Sequence, residues 1–106
     1  MGIVIKEKSS GTVLASAGEL ESNVVPYEGN LYFAPSAVNH EVLKVTERTY
    51  TCPFKGTCHW VDFVGADGKS VRDVAWVYAA PKAGHEVIKD RFAFYAGSRG
   101  ATRQEG

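Results

Sequence analysis

Two alternating, β-favouring runs, "CHWVDFV" and "SVRDVAWVY", flank the stretch Gly65-Ala66-Asp67-Gly68-Lys69. An Asp-Gly pair in that position favours positive backbone φ, which matches the twist of paired strands, so a β-hairpin is predicted from residues 60–64 to 71–77, within strands expected at 58–64 and 70–78. Other short runs of the same character predict strands at residues 3–7, 13–16, 30–33, 42–51 and 92–95, with Ser9-Ser10-Gly11 as the first hairpin turn. Helix is scarce. Pro35-Ser36-Ala37-Val38 opens one turn, and residues 83–90 predict a short helix after Pro81 with Val87 and Ile88 as its apolar side. The fold expected is mainly β: a single compact antiparallel β-sheet domain, barrel-like or tent-like, with one or two short helices. It spans residues 1–96, and the polar stretch "GSRGATRQEG" is expected to be a flexible C-terminal tail, residues 97–106.

A chain of 106 residues with 44% hydrophobic and 23% charged side chains suits one buried core and no more. Twelve basic residues balance twelve acidic ones, for a formal net charge of +0. No nucleic-acid partner is expected, because affinity for phosphates comes from a basic excess or stripe. Ile3-Val4-Ile5 is the sole apolar run near the start, far short of a secretory core or of the roughly 20 residues of a membrane span. The cytoplasm is therefore the simplest compartment and no membrane partner is expected. Two cysteines are too few for a disulfide scaffold.

The loop "TCPFKGTC", residues 51–58, holds both cysteines and Lys55. If residues 42–51 and 58–64 pair with Cys52 opposite Cys58, then Tyr50 faces Trp60 and Arg48 faces Asp62 on the same side of the sheet. Opposed Cβ atoms about 4.5–5.5 Å apart would need modest adjustment to reach the about 3.8 Å of a disulfide, and cytosolic thiols are normally kept reduced. Cys52, Cys58 and His59 are possible zinc ligands, but no second ligand pair accompanies them, so no metal is expected, and no cofactor either. Lys55 leaves two readings open. It can lower the pKa of Cys52 and, with the amides around Gly56, hold an anion; or Pro53 and Gly56 shape a turn and Lys55 is solvated at its tip.

In "VAWVYAAP", residues 74–81, Val74, Trp76 and Tyr78 share one face and Ala75, Val77 and Ala79 the other, while "RFAFYAG" adds Phe92 and Phe94 on one side and Tyr95 on the other. Such a stripe is core packing or the wall of a small-molecule pocket, for which Trp60, Trp76, Tyr78 and Tyr95 are the candidates. His40 and His85 fall in loop or helix-start regions and are expected to be exposed. His59 alternates away from Cys58, so a Cys52–His59 nucleophile pair would need another register.

Taken together, Tyr32-Phe33, "TCPFKGT" from Thr51 to Thr57, Trp60, "AWVY" followed by Pro81, and "AFY" from Ala93 to Tyr95 resemble the bacterial family called domain of unknown function 427, over roughly residues 12 to 96. The matching positions are Cys52, Pro53, Lys55, Gly56, Trp76, Tyr78, Phe94 and Tyr95. The resemblance implies a compact β-dominated domain, often a stand-alone protein, with no established activity. Members commonly carry a small residue where this chain has Cys58, and often a Trp where it has Ala96 and Gly97. A nucleotidyltransferase label attached to the family finds no support in the residues: such transfer needs carboxylates that hold Mg²⁺ beside phosphates, and Asp62, Asp67 and Asp73 form no recognisable pair.

The expected function is binding of a small anionic molecule by Lys55, Gly56, Trp60, Trp76, Tyr78 and Tyr95. The alternatives are an enzyme with Cys52 as activated catalytic thiol and a structural or protein-interaction module.

Overall fold

The computed structural model describes residues 2–18, 23–95 and 100–105. Strands β1 (Ile3–Glu7), β2 (Val13–Ala17), β3 (Val24–Tyr27), β4 (Asn30–Phe33), β5 (Leu43–Cys52), β6 (Gly56–Val64), β7 (Ser70–Val77), β8 (Phe92–Tyr95) and β9 (Thr102–Glu105) form two antiparallel sheets. The smaller has the order β2-β1-β9 and the larger β3-β4-β8-β7-β6-β5; neither closes into a barrel. A Cα radius of gyration of 12.9 Å is that of one compact domain of this length.

The hairpin from β6 to β7 forms as its turn chemistry dictates. Gly68 takes φ +83°, and the Asp67 carboxylate accepts the Lys69 amide at 3.0 Å. The β5–β6 register departs from expectation: Tyr50, not Cys52, lies opposite Cys58, and Cys52 lies opposite Gly56. A ladder irregularity between Val45 and Thr49 accompanies the change. There the Thr46 hydroxyl donates to the Trp60 carbonyl at 2.8 Å and accepts the Arg48 amide at 3.1 Å, standing in for missing ladder bonds.

Two strands were not expected. β3 contains Pro26, yet it is an edge strand, and Glu28 and Gly29 form a two-residue turn with φ +50° and +86° that returns the chain into β4. β9 is polar and lies in the stretch expected to be a flexible tail; residues 97–99 and 106 are outside the described residues. It pairs with β1 from Glu7↔Thr102 to Val4↔Glu105. Its ladder is made by backbone groups, and Lys6 Nζ meets Glu105 Oε1 at 3.0 Å. The helix expected over 83–90 is one 3₁₀ turn, Glu86–Ile88, bounded by positive φ at Gly84 and Asp90. The other short turn, Pro35–Ala37, stands where it was expected. No helix among the described residues is long and apolar enough to cross a membrane.

Alternation gives the larger sheet two different apolar faces. Leu31, Phe33, Val61, Phe63, Ala75, Val77, Phe92 and Phe94 pack with Ile5 and Leu14 of the smaller sheet, forming the core between the sheets. Tyr32, Cys58, Trp76, Tyr78 and Ala93 gather on the opposite face. Val74 joins the inter-sheet core instead of the face of Trp76, because Asp73 at φ +59° breaks the alternation where the β6–β7 ladder is irregular.

Candidate functional site

On the face away from the smaller sheet, cross-strand register lines up a row. Trp60 stands opposite Trp76, Trp76 opposite Ala93, and Ala93 opposite Tyr32. The small side chain of Ala93 lets its two large neighbours meet above it: Trp76 Nε1 donates to Tyr32 Oη at 3.2 Å, with the rings edge-to-face at 6.3 Å. Further ring contacts extend the row, edge-on to Tyr27 at one end (6.0 Å from Tyr32) and, through an edge-on Trp60 (6.1 Å from Trp76), to a tilted Tyr50 at the other (6.4 Å). The Tyr27 hydroxyl is hydrogen-bonded to His85 Nδ1, so His85 is partly covered rather than free in a loop; His40 is exposed.

Pro53, Phe54 and Lys55 connect β5 to β6, and the chain re-enters the sheet through Gly56 at φ +109°. That φ explains the glycine; a Cβ there would lie in ordinary contact with the Lys82 amide nitrogen at 3.4 Å and the Ala80 carbonyl oxygen at 3.5 Å. The segment after Tyr78 clamps this loop: the Lys82 amide donates to the Lys55 carbonyl at 2.8 Å, and Lys82 Nζ to that of Pro53 at 3.0 Å. Phe54, 73% exposed, is the tip. Lys55 turns inward, its side chain only 13% exposed, with Nζ 3.0 Å from Glu28 Oε1 and 5.8 Å from the Tyr78 ring centre. The picture of a solvated lysine at the loop tip is therefore corrected.

A cavity of about 290 Å³ opens beside Lys55, lined also by Asn30, Tyr50, Cys58, Trp60, Trp76 and Tyr78. Burial works against the charge of Lys55, but the Glu28 carboxylate, aided by weaker electrostatic attractions, outweighs it and keeps the ammonium pKa above its ordinary value. The Lys55 amide donates to Cys52 Sγ at 3.5 Å and holds that thiol below its usual pKa. Burial pushes the Cys58 thiol and the Tyr32 and Tyr78 hydroxyls the other way.

Of the residues singled out from sequence, Lys55, Trp60, Trp76 and Tyr78 line this cavity, Gly56 shapes the loop, and Cys52 packs beside the aromatic face. Tyr95 ends β8 opposite Asn30, and its side chain lies outside the described part of the structure. Asn30, Tyr50, Tyr32 and Glu28 were not singled out as site residues, and Cys58 was weighed only as a metal ligand or disulfide partner. Tyr32 was legible, since it alternates with Leu31 and Phe33; Glu28 was not, since nothing local ties a turn residue to a lysine 27 positions later. The cysteines are diagonal neighbours, for which Cβ separations approach about 7 Å, too far for a bridge without backbone movement, and both are free.

Arg48 still reaches Asp62, and Asp73 Oδ1 at 2.7 Å, so these carboxylates share a guanidinium, while Asp67 serves the hairpin turn. Among the described residues no three His, Cys, Asp or Glu side chains gather as a metal site. His59 donates from Nδ1 to the Thr46 carbonyl at 3.0 Å, on the face away from Cys58.

The family model described as "Domain of unknown function (DUF427)" matches residues 9–105. The chain belongs to that family. The match begins in the turn after β1 and ends with β9, so the DUF427 domain takes in the whole larger sheet and every residue of the cavity. Comparison with curated proteins finds no match.

Proposed function

We propose that this DUF427 domain binds a small molecule with a flat apolar body and an anionic group, the body against Trp60, Trp76 and Tyr50 and the anion on Lys55 Nζ. The observation that carries this is Lys55 itself, a cation tucked at the mouth of an aromatic cavity rather than extended into water. Its Glu28 partner is half exposed, so the ion pair is weak enough for the ammonium to exchange one anion for another. The cavity is at the small end of the range for ligand sites, which suits one or two rings.

A thermal-shift comparison of wild type and Lys55→Met tests it, using 2-naphthoate, 2-naphthylamine and naphthalene-2-sulfonate with the thiols reduced. A ligand at 100 times its dissociation constant stabilises by about 2.7 kcal/mol, several degrees for a domain of this size. The expected result is a shift with the two anions that disappears in Lys55→Met, whose own stability changes by less than about 1 kcal/mol because its ion pair is partly solvated. No shift with any compound would return the interaction-module reading.

A second reading rests on the Lys55 amide aimed at Cys52 Sγ, which favours the thiolate. On it, Cys52 acts as a nucleophilic thiol. Iodoacetamide at pH 6.5 should then alkylate Cys52 well ahead of a model thiol, and leave the buried Cys58 intact in the folded protein. Equal rates for Cys52 and the model thiol would end this reading.

A further inference from the structure

The turn that closes β3 onto β4 carries an unexpected residue. Tyr27 pairs with Asn30 across Glu28 and Gly29, and both turn residues have positive φ, +50° and +86°. The first position of such a turn favours Asn, Asp or Gly, which enter the left-handed region more readily than glutamate does. Turn chemistry does not select Glu28. Its carboxylate instead reaches across to Lys55 Nζ at 3.0 Å, and Asn30, the residue after the turn, lines the cavity. The turn thus adjoins the cavity and puts a carboxylate oxygen on the cation that the proposed site offers its ligand.

We infer that Glu28 occupies the anion position of the site, and that the ligand, resting on the binding reading above, is a planar monocarboxylate that displaces Glu28 from Lys55. Three observations bear on this. The Glu28 side chain is 50% exposed, so on release its carboxylate moves into water rather than into an apolar surround, and a half-solvated ion pair is weak enough to exchange. The replacement is one negative charge for one, which leaves the partly buried ammonium neutralised. A phosphate dianion would bring a second charge, whereas among the described residues Lys55 is the one cation that lines the cavity, and Lys82 Nζ is turned to the Pro53 carbonyl.

While Glu28 sits on Lys55 the ligand finds the cation free only part of the time, and its apparent affinity falls by that fraction. Removing the carboxylate should therefore tighten binding of another carboxylate. Isothermal titration with 2-naphthoate and 2-naphthyl phosphate, on wild type, Glu28→Gln and Lys55→Met, tests this directly. The expected result is naphthoate binding by wild type, about tenfold tighter in Glu28→Gln if Lys55 is free a tenth of the time, and lost in Lys55→Met. Glu28→Gly, whose backbone suits the positive φ, should match Glu28→Gln and guards against a misfolded glutamine variant. Unchanged or weaker naphthoate binding in both Glu28 variants, with wild type still binding, overturns the inference and leaves the binding site standing. Tighter binding of naphthyl phosphate than of naphthoate overturns the carboxylate class. Binding of neither compound by any variant sinks the site itself.

Discussion

Glu7 shows what one buried side chain can demand. It is 2% exposed, and its carboxylate accepts the Ser9 and Ser10 amides at 3.0 and 2.9 Å and their hydroxyls at 2.7 and 2.8 Å. Burial resists the charge, but these donors outweigh it and pull the pKa from 4.5 down to about 2. The folded value lies below the ordinary one, so the stabilisation is complete above pH 4.5 and is lost as the pH falls towards 2. Glu7→Gln should cost about 2 kcal/mol at pH 7, the loss of hydrogen bonds to a charged acceptor, and should flatten the fall in melting temperature over that acid window. A variant that melts like wild type at pH 7 and retains the same acid slope would show that the turn holds without the charge. Ser9-Ser10-Gly11 was legible as a turn; that it is organised around a buried carboxylate was not, because burial belongs to the folded chain.

At the scale of elements, β8 is decisive although it has four residues. Ala93, fully buried between Trp76 on β7 and Tyr32 on β4, leaves room for the indole and the phenol to hydrogen-bond above it. Ala93→Leu would push its added methyl groups into that contact, at a cost of about 1–3 kcal/mol by overpacking. Urea denaturation should give that loss, and the emission of Trp60 and Trp76, the two tryptophans of the chain, should shift as the packing opens. An unchanged spectrum would mean that the Trp76–Tyr32 contact is not held by the small residue. The strand was readable from "FAFY" as an alternating run. What Ala93 does depends on its two neighbours in the sheet, which lie 61 and 17 positions earlier in the chain.

Over the whole molecule, the larger sheet is buried against the smaller on one face and carries the cavity on the other, so its two edges must be kept from pairing elsewhere. β5 has its irregularity at the edge, and β3 has Pro26. Tyr27 and Asn30 flank a two-residue turn and exchange both ladder bonds, so at Pro26, one residue on, the backbone nitrogen points away from β4 and its missing N–H lies on the outer edge. Pro26→Thr restores a donor there without touching the internal ladder. Sedimentation velocity at rising concentration should show more self-association than wild type; identical profiles would mean that the β3 edge is protected by something other than the proline.

Strand identity was the sequence's to determine, because alternation and turn residues act over a few positions: seven strands, the Asp-Gly hairpin and the candidates Lys55, Trp60, Trp76 and Tyr78 follow from local chemistry. β3 escaped because proline hides an edge strand, and β9 because a polar strand recruited by backbone hydrogen bonds has no apolar signature. Register, the fate of Val74, the burial of Lys55 and its meeting with Glu28 were decided by the tertiary structure. Two extra residues in one strand shift a ladder, a single positive φ turns a side chain to the other face, and two loops distant in sequence become neighbours only once the sheet between them has formed.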